Sequence, residues 1–285
     1  MASVWRLSET VLAGVPAGDW VLPGLVHYLP IVTTLMAAAF LGSLGARAAP
    51  RGWPAHLTWW AVGVFFYGLG TGLESTITLM GNSAELTRHW YWAGAILGGY
   101  PLATGTVYLL LDRKIAHILT ACSLVVVIAA LVAILLSPLN AEAVEPHRPT
   151  GDVIGWQWVR LMTPIINLYA AAFLVGGALT SSKRFLRAGD RGHRRWAVVL
   201  EVFSWLIPIL KLPDFMVGKN PLPPNGRRAL GTALIAVGGL LPGIGGSMAK
   251  GGVVEALYIG ELVGLALIWV GYELCVRTPM GRGGS

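Results

Sequence analysis

The stretch WAVVLEVFSWLIPIL, residues 196–210, decides how this chain is threaded. It is apolar, yet it contains Glu201 and Pro208 and is bounded by Arg194, Arg195 and Lys211. As a helix it would rise only about 22 Å, short of a hydrocarbon layer of roughly 30 Å. If it lies in the interface or re-enters, the chain crosses seven times. If it crosses, there are eight spans and the C-terminus changes sides.

Around it lie longer apolar runs at 24–43, 57–79, 90–111, 115–136, 160–182, 229–247 and 254–274. Each is rich enough in apolar and small residues to satisfy its own backbone as a helix in lipid. Seven spans put Arg47, Arg51, Arg113, Lys114, the basic residues of 183–228, Arg277 and Arg282 on one side. The other side keeps Arg6, Arg88, Arg148, Arg160 and Lys250. Cationic loops stay in the cytoplasm, so the N-terminus is expected outside and the C-terminus inside. Eight spans would move Lys219, Arg227, Arg228, Arg277 and Arg282 outward and weaken that bias. The sequence therefore reads as an all-α polytopic membrane protein. It is a seven-transmembrane helix bundle in one domain, 1–285, with an interfacial or re-entrant helix at 196–210. The location expected is a prokaryotic cytoplasmic membrane.

Composition agrees. Apolar residues are 55% of the chain and charged residues 12%, too few charges for a soluble surface of this size. The net charge of +7 is concentrated in loops on one side, which points to anionic lipid at the inner basic loop and away from nucleic acid. The start of the chain lacks the charged, apolar and small-residue sequence of a cleaved signal peptide. Cys122 and Cys275 lie in or beside apolar runs and form no CxxC pair.

LPIVTTLMAAAFL at 29–41 resembles TPIINLYAAAFLV at 163–175, which suggests parallel repeats over 24–111 and 160–274, the second interrupted by the connector 183–228. Glycines in the spans allow close helix contact. The run GGLLPGIGG at 238–246 is a candidate for a broken helix that exposes backbone to a ligand.

Ionisable groups inside lipid are costly and mark functional sites. From the helical rise, Glu74 lies about 7 Å, Asn167 and Glu261 about 10 Å, and His27 about 5 Å inside the outer ends of four different spans. Tyr258 stands one turn above Glu261. This layer is the candidate ligand, ion or proton site, with Arg88, His89, Arg160 and Lys250 as rim charges able to pair with its acids. His27, Glu74, His89 and Glu261 are suitable donors for a metal, but their spacing forms no local ligand motif and no metal is assigned. Tyr100 and Thr104, beside Pro101, form a second candidate on one helical face. Trp53, Trp59, Trp60, Trp90, Trp92, Trp156 and Trp158 fall near span ends as an interfacial belt, and name no cofactor.

The topology is similar to that of rhodopsins and seven-helix receptors. The last span has no interior lysine for a retinal Schiff base, because Lys250 precedes it and position 261 is glutamate. The function expected is the handling or sensing of a small molecule, ion or proton through an outward-facing polar site. The alternatives are an intramembrane enzyme acting on a lipid-like substrate and a scaffold docking partners through the basic loop.

Overall fold

The computed structural model describes residues 24–188 and 224–277. The stretch 196–210 lies outside them. After a short turn at Leu25–Tyr28, the described helices are α1 (Leu29–Ala48), α2 (Ala55–Met80), α3 (Ala84–Trp90), α4 (Tyr100–Leu110), α5 (Arg113–Leu136), α6 (Gln157–Ala170), α7 (Gly176–Ala188), α8 (Pro224–Lys250) and α9 (Glu255–Arg277). Among the described residues there is no strand beyond isolated bridges.

Among the described residues, six helical runs are long and apolar enough to cross a membrane: Leu25–Arg51, Ala84–Leu110, Arg113–Leu136, Gln157–Leu186, Pro224–Lys250 and Glu255–Arg277. Helix α2 is equally long but carries His56, Glu74 and four threonines, and it packs chiefly against α1, α4 and the turn Tyr91–Ile96. The bundle turns Leu35, Val125, Leu136, Ile165 and Leu168 outward, each more than half exposed. A lipid solvent accepts such a surface where water would not. These are the features of an integral membrane protein.

Two spans are single runs with a widened turn inside. Tyr91–Ile96 joins α3 to α4, and Ala171–Val175 joins α6 to α7, each with the wide i→i+5 winding that often accompanies functional sites. In the first, Pro101 has no N–H to give, so the winding resets over Leu97–Gly99 before α4 begins. The AAAFL pentapeptide is regular helix at 37–41 but enters the widened turn at 170–174. Identical local sequence thus winds differently according to its packing.

Helices α8 and α9 meet along a seam of small residues. A Cβ on Gly238 would lie 2.5 Å from Gly264 O, and one on Gly264 would lie 2.7 Å from Gly238 O. Gly231 against Gly271 repeats the contact two turns away, at a Cβ distance of 2.6 Å. Glycine spacing of seven keeps the seam on one face of each helix, and the close approach supplies the dispersion contacts that hold helices together in lipid. The expected break at 238–246 does not form. Helix α8 runs unbroken through Pro242, whose ring packs against the space beside Gly264.

The short connections make successive spans antiparallel and gather the loops at two ends. One end holds the starts of α1, α3, α6 and α9, the ends of α2, α5 and α8, and the loop 137–156. This capped end is tied together by Arg88, which donates to Leu135 O at 3.2 Å and Ser137 O at 3.0 Å. Asn82 also donates to Glu145 O at 2.7 Å and Arg148 O at 3.0 Å. The opposite end carries Arg47, Arg51, Arg113, Lys114, Lys183, Arg184, Arg227, Arg228 and Arg277.

Candidate functional site

Glu74 is on the inner face of α2 and only 1% exposed. Its Oε1 accepts the indole N–H of Trp90 at 2.7 Å. The side chain of Glu261, from α9, lies beside it. Glu74 Oε2 and Glu261 Oε2 are both buried and have no donor among the described residues. Two carboxylates are acceptors only, so a hydrogen bond between them needs a proton on one. Without that proton, like charges would face each other in a low-dielectric interior.

Aromatic residues surround the pair. Below it, Tyr67, two turns before Glu74, donates its hydroxyl to the main-chain oxygen of Glu261 at 2.8 Å. Above it, Tyr258 is 1% exposed and stands edge-on to His27, ring centroids 5.5 Å apart. The His27 carbonyl accepts from Thr78 Oγ1 at 2.9 Å, while His27 Nδ1 is buried with no partner among the described residues. Beside them, Thr34 and Thr71 hydroxyls bond at 2.9 Å across α1 and α2. The order from the capped end is His27 and Tyr258, then the two glutamates, then Tyr67.

Packing explains how these side chains reach one place. Gly70 touches Gly94, where an added Cβ would lie 2.8 Å from Gly94 Cα. That approach presses α2 against the widened turn and brings Trp90 onto Glu74. Farther toward the basic end, Phe40, Val64, Leu265 and Ile268 are fully buried and apolar. The carboxyl pair therefore sits above a dry core.

The other candidates separate from this cluster. Asn167 is on an exposed face of α6. Tyr100 bonds Ser123 Oγ at 2.9 Å, and Thr104 bonds the carbonyl of Tyr100 at 3.0 Å, in a different contact among α4, α5 and α6. Those bonds fit a kink whose polar groups are satisfied internally.

None of the rim charges is paired with the two acids. Arg88 holds the end of α5, Arg160 pairs with Asp152 at 2.5 Å, and His89 accepts from Trp92 Nε1 at 3.2 Å and is exposed. Lys250 ends α8 and is exposed. Among the described residues, no group of three or more His, Cys, Asp or Glu converges as a metal would require.

Arg148 is a further cation at the capped end. Its guanidinium is tied to Glu145, with Nη2 2.6 Å from Oε1, and its Nη1 reaches Ala249 O at 3.4 Å. The hydrogen bond to Glu145 pushes the guanidinium further above its ordinary value, so it stays charged. It straps the loop 137–156 to the end of α8.

Tyr67, Trp90, Asn82 and Arg148 are participants that sequence reasoning did not select. Tyr67 had a signal, since a spacing of seven places it on the same face as Glu74. Trp90 was indistinguishable from the interfacial tryptophans until the widened turn placed it.

The fold and site define an all-α integral membrane protein with a buried pair of carboxyls. No protein family, curated protein or solved structure matches the chain.

Proposed function

We propose that this protein spans the membrane seven times, with the capped end outside, and binds and exchanges a proton at Glu74 and Glu261. A small cation in place of the proton belongs to the same reading, because it too would join two acceptors. The observation that carries the proposal is the meeting of two carboxyls whose second oxygens are buried with no donor among the described residues. A structural ion pair would have brought a Lys or Arg to them; Arg148 is held by Glu145 instead.

The dry core beneath the pair supports exchange with the capped side, through the space closed by His27 and Tyr258. A proton-responsive sensor needs only that one route. A carrier also needs a second arrangement of the bundle in which Phe40, Val64, Leu265 and Ile268 part.

Infrared difference spectroscopy of the purified protein in lipid nanodiscs tests the reading. The parent should show a protonated-carboxyl band that titrates with pH, and Glu74→Gln and Glu261→Gln should each remove it. A titrating band that survives in both variants would refute the assignment. Proteoliposomes with an internal pH dye, with and without Na⁺ or K⁺ gradients, then separate carrier from sensor.

A further inference from the structure

At the basic end, the first turn of α8 and the last turns of α9 enclose an open cleft of about 340 Å³. It is lined by Arg227, Trp269, Val270, Glu273, Leu274 and Arg277. We propose that this cleft is a binding site for an anionic phospholipid, with the phosphate between Arg227 and Arg277 and an acyl chain along Trp269 and Val270. The site is independent of the carboxyl pair at the other end of the bundle.

The placement of charge and apolar surface carries the argument. Arg227 and Arg277 are both exposed, and each lies at a helix end where a span meets the headgroup layer. Val270 is half exposed and lies two turns deeper, about 10 Å along α9, in the direction an acyl chain runs. Trp269 is fixed as one wall by stacking on Phe40, with centroids 5.5 Å apart.

Glu273 would repel an anion, but its carboxylate is engaged by Arg277 Nε at 2.7 Å and by Ser43 Oγ at 3.0 Å. Arg47, over the ring of Tyr272 at 5.7 Å, adds a further positive charge beside it. Arg277 keeps its two terminal nitrogens for a second partner, as the forked guanidinium allows. Charge at the mouth and apolar wall below match a phospholipid, whereas a free phosphate would leave the deeper wall unused.

Native mass spectrometry from nanodiscs of mixed phosphatidylglycerol and phosphatidylcholine tests this. The parent should retain phosphatidylglycerol preferentially, and Arg227→Gln with Arg277→Gln should lower that preference on the order of tenfold. Val270→Trp, which fills the apolar wall and leaves every charge, should also reduce retention. Arg113→Gln with Lys114→Gln removes equal charge from the same end and should keep the preference. Equal retention of the two lipids by the parent would overturn the proposal. So would parent-like retention in the cleft variants, or an equal loss in the Arg113 and Lys114 control, which would assign the effect to bulk surface charge.

Discussion

Trp90 donates its indole N–H to Glu74 Oε1 at 2.7 Å, so a residue just before a widened helical turn fixes one carboxyl of a buried pair. The bond orients Glu74 and leaves its other oxygen for Glu261. Trp90→Phe keeps most of the ring but leaves a buried acceptor without its donor. The expected cost is about 1–3 kcal/mol, seen as a lower midpoint in thermal unfolding of the detergent-solubilised protein. An unchanged midpoint would mean that Glu74 is oriented by other contacts.

Glutamine at one position of the pair brings its own N–H and can bridge to the remaining carboxylate without an added proton. Glu261→Gln should therefore fold and stay within about 1 kcal/mol of the parent. Glu261→Leu, which leaves Glu74 facing an apolar wall, should destabilise more. Thermal unfolding of the three proteins at one pH checks the order, and equal stability of the leucine variant would contradict a shared hydrogen bond.

Asn82 donates to two carbonyls of the loop 137–156, and its Oδ1 accepts from Thr87 Oγ1 at 2.9 Å and from Ser83 N at 2.8 Å. Aspartate would turn an acceptor oxygen toward two carbonyl oxygens. Asn82→Asp should raise hydrogen exchange across 137–156 while leaving α8 and α9 protected. Arg148→Ala should loosen the same loop less, since its partly exposed pair with Glu145 is worth about 1 kcal/mol or less and is screened by salt.

Gly264 lies against the backbone of Gly238 and the ring of Pro242. Gly264→Ala must push α8 and α9 apart, at an overpacking cost of about 1–3 kcal/mol. Gly243, with open space around its missing Cβ, is the control: Gly243→Ala should be tolerated or slightly stabilising. Paired unfolding curves decide it, and equal effects at both glycines would argue against the seam.

The proposed seven-span arrangement puts Ser83 and Lys114 on opposite sides of the membrane. With Cys122 and Cys275 replaced by alanine, Ser83→Cys should react with an impermeant maleimide added outside intact cells, and Lys114→Cys only after permeabilisation. The reverse pattern would invert the topology.

What the sequence determined by itself was the setting. The seven apolar runs all appear as helix, with limits that differ from the expected ones by up to six residues, because lipid leaves an unpaired backbone little alternative. Depth was also legible: His27, Glu74, Tyr258 and Glu261 fall in one layer because rise per residue fixes height along a helix. Facing was not. Asn167 shares the expected depth but points outward, and Tyr100 and Thr104 belong to another helix contact. Rotation about each helix axis is set by which glycines touch, as at Gly70 with Gly94, and by the widened turns, which alter the winding after them. Those are contacts between distant segments. Only the tertiary structure could bring Trp90 to Glu74, set Glu261 opposite it, and commit Arg148 to Glu145 instead of to either buried acid.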